Sequence, residues 1–145
     1  MKSSNLVAFF LMIIFSPFAL GDKVAYLCVA DESVGFKHFP DQGWATTKFD
    51  ITDEKFILRK LEHDEIGYQK GKEIYGFLNL GKDAFPYVCD PEIDDLYVCD
   101  SVIGGEMMFA PSTGRFIRTN TLGYWVGGDE LSDSPYIMRG RCSKI

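Results

Sequence analysis

Beyond its first twenty or so residues, this chain sets its apolar residues in short runs separated by Gly, Pro, Asp and Asn. That spacing predicts strands joined by tight turns rather than helices. Residues 23–30 are apolar on both alternating faces, as in a strand covered on both sides. Residues 35–39 and 44–49 flank Pro40-Asp41-Gln42-Gly43, a good turn sequence. Residues 55–61 read two ways. Phe56, Ile57, Leu58 and Leu61 could share one helical face behind a cap at Thr52 or Asp53, or they could form a strand. Neighbouring strands favour the strand. Residues 66–70 and 74–80 are predicted as two more, divided by Gly71.

Residues 85–89 and 96–99 enclose an acidic turn, Asp90-Pro91-Glu92-Ile93-Asp94-Asp95. A hairpin symmetric about Asp94 sets Cys89 directly opposite Cys99, close enough for a disulfide. Residues 106–110 and 115–119 flank Pro111-Ser112-Thr113-Gly114, a second hairpin turn. The apolar run Tyr124-Trp125-Val126 follows, and a polar loop over 127–134 leads to the last strand, 136–139. Its alternation puts Tyr136, Met138 and Cys142 on one face and Ile137, Arg139 and Arg141 on the other. The expected fold is mainly β: an antiparallel meander forming a small barrel or a sandwich.

The start of the chain reads differently. Lys2 precedes an apolar run over 6–15, Pro17 breaks it, and Ala19 and Gly21 offer small residues for signal peptidase. Residues 1–21 are therefore read as a signal peptide and 22–145 as a single β-rich domain. The alternative, an uncleaved anchor, needs about 20 apolar residues, more than this run supplies. Removing 21 residues leaves 124, enough for one core. Losing Lys2 leaves 14 basic against 21 acidic residues, a formal charge of −7. That charge disfavours nucleic acid and anionic lipid and favours a cationic protein as partner. No membrane insertion is expected after cleavage, and the expected address is periplasmic or secreted.

Four cysteines follow the cleavage site, and export makes disulfides their default state. Four cysteines allow three connectivities. Hairpin symmetry favours Cys89–Cys99, and the terminal positions of the others favour Cys28–Cys142. A zinc site is the competing reading. It lacks a Cys-x-x-Cys pair, and the chain holds only His38 and His63.

Candidate chemistry is sparse. Asp83, Asp90, Glu92, Asp94, Asp95 and Asp100 gather around the small disulfide loop. Of these, Asp90, Glu92, Asp94 and Asp95 are the candidate docking residues for a cationic protein; as a calcium loop they lack the EF-hand spacing. Asp129, Glu130 and Asp133 form a second acidic segment. Trp44, Tyr124 and Trp125 could line an apolar-ligand pocket inside a barrel, or serve as packing or surface aromatics. No Gly-x-Ser-x-Gly elbow or His-Glu-x-x-His helix is present, so no catalytic residue, metal or cofactor is assigned and no enzyme is expected.

Two stretches carry a resemblance. Tyr26-Leu27-Cys28 opens the mature chain. Gly105-Glu106-Met107-Met108-Phe109, Arg115-Phe116, Gly123-Tyr124-Trp125, Ser134-Pro135-Tyr136-Ile137 and Cys142 close it. Together they resemble a group of small exported proteins of Gram-negative bacteria with no assigned function, which implies a periplasmic address and no activity. A weaker likeness is to the periplasmic inhibitors of C-type lysozyme, small β-barrels with a Tyr-x-Cys near the mature start. Their Ser/Gly-rich inhibitory loop has no counterpart here, so no site residue carries over. The expected function is an exported, non-enzymatic protein-binding module, of inhibitor or immunity type in its sharpest form. The alternative is a barrel holding a small apolar ligand.

Overall fold

The computed structural model describes residues 24–81, 87–101, 104–126 and 134–145. The expected signal peptide, Asp83, and Asp129, Glu130 and Asp133 lie outside the described residues. The elements are β1 (Ala25–Phe39), β2 (Gly43–Lys48), β3 (Lys55–Lys60), β4 (Tyr75–Asn79), β5 (Tyr87–Cys89), β6 (Tyr97–Ser101), β7 (Glu106–Ala110), β8 (Arg115–Asn120), α1 (Leu122–Val126) and β9 (Tyr136–Lys144). From β3 to β9 each strand pairs antiparallel with its chain neighbour, and β9 pairs back onto β1. The sheet is thus an eight-stranded closed barrel. β2 stands outside the ring, paired with the outer half of β1.

Period-two alternation drives this closure, because each strand of the ring has one apolar face that must leave water. Phe56 and Leu58 of β3, Tyr87 and Cys89 of β5, and Tyr97 and Cys99 of β6 point inward and are buried. So do Met107 and Phe109 of β7, Phe116 of β8 and Met138 of β9. Their rings fill the interior. Phe56 stacks on Phe77 with centroids 4.5 Å apart, and Phe116 meets Phe56 at 5.9 Å and Phe77 at 5.6 Å.

Both disulfides join register partners, Cys28 with Cys142 across the β1–β9 seam and Cys89 with Cys99 across β5–β6. At the seam the two backbones approach so closely that only glycine fits. A Cβ on Gly140 would lie 2.2 Å from the Val29 carbonyl oxygen, and one on Gly35 would lie 2.1 Å from that of Pro135.

Two local expectations need correction, and one apolar run takes its element. Residues 23–30 and 35–39 are not two strands but parts of one fifteen-residue β1. A β-bulge between Ala30 and Glu32 keeps it continuous while changing its inward face, so Cys28 and Ala30 point in before the bulge and Ser33 after it. Residues 66–70 form turns, not a strand. Gly67 and Gly71 have φ of 91° and 82°, and backbone bonds such as Tyr68 N to the Glu65 carbonyl hold the segment. Residues 124–126 belong to α1. β8 already has β7 and β9 on its two edges, and the chain leaving it satisfies its backbone within one helical turn. Residues 55–60, open between strand and helix, are β3.

Candidate functional site

The acidic hairpin ends in Asp94 and Asp95, with φ of 50° and 63°. Ile93 and Leu96 bridge on either side. Two successive positive-φ residues are what a tight two-residue hairpin turn demands, and Asp tolerates that backbone better than most residues. Asp95 also ties this tip to the β7–β8 turn, since its carboxylate accepts from the Ser112 backbone N–H at 2.9 Å and from the Ser112 hydroxyl. Asp90, Glu92 and Asp94 remain exposed. Beneath them lie Tyr26, Tyr75 and Tyr97, with Tyr75 and Tyr97 edge to face at 5.1 Å. Burial, and then the charges of Glu92 and Asp95, hold the Tyr26 hydroxyl above its ordinary pKa. Asp100 does not join this group. It stands on the outer face of β6 opposite Glu106.

The aromatic candidates occupy the other end of the barrel and its outside, not its interior. Trp44 is the register partner of His38 in the β1–β2 hairpin, with ring centroids 5.6 Å apart. Tyr124 of α1 meets Trp44 edge to face at 5.1 Å. Trp125 points into solvent, 72% exposed. After the bulge, Val34, Phe36 and His38 share the outer face of β1 with their partners Lys48, Thr46 and Trp44. Ile137 of β9, opposite Val34, continues that face. Val34, Phe36 and Ile137 are 41%, 49% and 50% exposed and line an open groove of about 630 Å³ that reaches Thr121 beside α1. Sequence reasoning missed this groove, because the bulge that turns Val34 and Phe36 outward has no signature in the apolar pattern. β2 borders it and pairs on one side only, leaving its other edge without a strand among the described residues.

A third feature also escaped the sequence. Arg118 of β8 points into the barrel mouth, where its guanidinium lies over the rings of Tyr87 (4.9 Å), Phe56 (5.3 Å) and Tyr136 (5.6 Å). Its Nε donates to the Tyr87 hydroxyl at 2.8 Å, and Nη1 stands 3.7 Å from Glu54 Oε2. Inward-pointing arginine is legible from parity with Phe116, two residues before it. A ring cage around a cation, closed by a carboxylate, braces the mouth. Beside it, the hydroxyls of Ser33 and Ser134 are buried without a hydrogen-bond partner in a cleft of about 300 Å³. Among the described residues, no three His, Cys, Asp or Glu side chains converge to hold a metal.

These observations define the class: a disulfide-bridged, eight-stranded antiparallel barrel with a filled interior, carrying an apolar hairpin on its outside. Two such disulfides belong to an oxidising, extracytoplasmic environment. Among the described residues, no helix is long and apolar enough to cross a membrane. No protein-family model, curated protein or solved structure matches the chain.

Proposed function

We propose that this is an exported, non-enzymatic module that binds another protein through the outer face of its β1–β2 hairpin, in the periplasm. The observation that carries the reading is the contiguity of exposed Val34, Phe36 and Ile137 with the open edge of β2. Exposed apolar surface gathered in one place marks interaction sites. An unpaired strand edge beside it offers backbone hydrogen bonds to an extended segment of a partner. Trp44, Tyr124 and Trp125 supply the broad rings that serve as binding anchors. At the far end, exposed Asp90, Glu92 and Asp94 add a negative field that favours encounter with a cationic partner. A small apolar ligand held inside the barrel finds little support, since aromatic rings fill the interior.

Photo-crosslinking in the periplasm tests this. A crosslinkable residue replacing Phe36 or Ile137 should capture a discrete protein partner, and one replacing Glu73, at the opposite end, should not. No adduct at either hairpin position, or the same adduct from all three, would reject the reading.

A further inference from the structure

The chain is acidic, yet the outer face of β8 and β9 collects three arginines. Arg115 and Arg141 are direct register partners, and Arg139 stands one step along the same face of β9. All three are exposed. Like charges directly opposed across an antiparallel pair are destabilising, so this arrangement works against the fold unless something offsets it. For Arg139 the offset is internal, because its Nη2 lies 3.1 Å from Glu32 Oε2. Arg115 and Arg141 have no ion-pair partner among the described residues.

The two free guanidinium groups border a depression of about 490 Å³. Its apolar lining comes from Leu96, Met108 and Ile117, with Ile117 43% exposed. Met108 and Ile117 are themselves register partners, so an apolar pair lies beside the charged one, with Arg139 ending its rung on β9. Asp31 lies on the rim and forms no ion pair there. A volume of this size suits a small organic ligand, and apolar walls with a few convergent polar groups are what such sites present.

We infer that this depression binds an amphiphilic anion, its carboxylate or phosphate held between Arg115 and Arg141 and its apolar body laid on Leu96, Met108 and Ile117. Guanidinium groups match both oxyanions with paired N–H donors. The Asp31 carboxylate weighs against polyanions, which favours a single headgroup. This site is separate from the hairpin groove and stands or falls independently of it.

The test uses the oxidised mature protein and three monomeric probes: octanoate, octyl phosphate and octyltrimethylammonium. Titration calorimetry should show saturable binding of octanoate or octyl phosphate and none of the cation, with Met108 methyl resonances shifting on binding. Whichever anion binds more tightly separates a fatty-acid type of ligand from a phosphoryl headgroup. The variant carrying Arg115→Gln and Arg141→Gln should lose affinity by about tenfold or more. Its urea midpoint should be unchanged or raised, because a repulsion is removed, so lost binding is not lost folding. No saturable binding of either anion, equal binding of the cation, or unchanged affinity in the double variant overturns the inference.

Discussion

Cys28 and Cys142 face each other as register partners in the seam where the first and last strands close the barrel. Their bridge spans 114 residues of sequence, whereas Cys89–Cys99 spans 10. In the chain-entropy view the longer loop restricts the unfolded state more. Replacing Cys28 and Cys142 together by Ser should therefore cost about 5 kcal/mol, and replacing Cys89 and Cys99 about 3 kcal/mol. Urea unfolding of the two double variants checks the order.

The same seam makes a sharper prediction at Gly140. A methyl there meets the backbone of Val29 and Ala30 and the Phe116 ring, none of which can move without opening the barrel. Gly140→Ala should cost about 3 kcal/mol or more, the upper range for overpacking. Gly43→Ala is the control: nothing lies within 4 Å of its added Cβ, but its φ is 71°. That change should cost only about 1 kcal/mol. Thermal unfolding of both variants compares a steric with a conformational cost.

Arg118 and Glu54 are both largely buried in the barrel mouth, with side-chain exposures of 16% and 17%. Removing the carboxylate leaves the guanidinium among rings with less compensation. Glu54→Gln should destabilise by about 2 kcal/mol, and Arg118→Ala by about 3 kcal/mol through lost ring contacts as well as charge. Arg118→Met, which keeps bulk, should recover part of the second loss. A double-mutant cycle on Arg118 and Glu54 should return a coupling energy clearly above zero.

Stability should fall at both ends of the pH scale, for opposite reasons. The hydrogen bond from Arg59 holds Glu65 below the usual carboxylate range, and Lys60 does the same for Glu73. Depressed carboxylates stabilise the fold above their unfolded pKa, about 4, and that contribution is lost as pH falls through the folded value. At the alkaline end, burial above all pushes Tyr97 up, with Tyr75 and Glu92 adding to it, and burial likewise raises Tyr136. Raised tyrosines contribute stability that is complete below their unfolded pKa, about 10, and lost as pH rises through the folded value. Urea midpoints should fall below about pH 4 and above about pH 10. Tyrosinate absorbance should appear at higher pH in the folded protein than in urea. Tyr97→Phe should soften the alkaline loss, and Glu65→Gln the acid one.

What the sequence determined by itself follows from local periodicity. Residues 106–110 and 115–119 flank so clear a turn, Pro111-Ser112-Thr113-Gly114, that their hairpin needed no tertiary information, and the Cys89–Cys99 bridge followed from the symmetry of one turn. The inward set of β9 was legible in the same way, from Met138 and Cys142 against Ile137, Arg139 and Arg141. The pleat repeats every two residues, so a chain with one buried face must write that repeat into its sequence. Tertiary structure decided everything that depends on register between distant strands. It chose the barrel over the sandwich by pairing β9 back onto β1, and it joined two expected strands into β1 through a bulge at the seam. It brought Tyr124 onto Trp44 outside the barrel, not within it. It also set Arg115 opposite Arg141, concentrating positive charge on one face of an acidic protein. Net charge and alternation are properties of the chain alone, but a cross-strand neighbour is fixed only when the sheet closes.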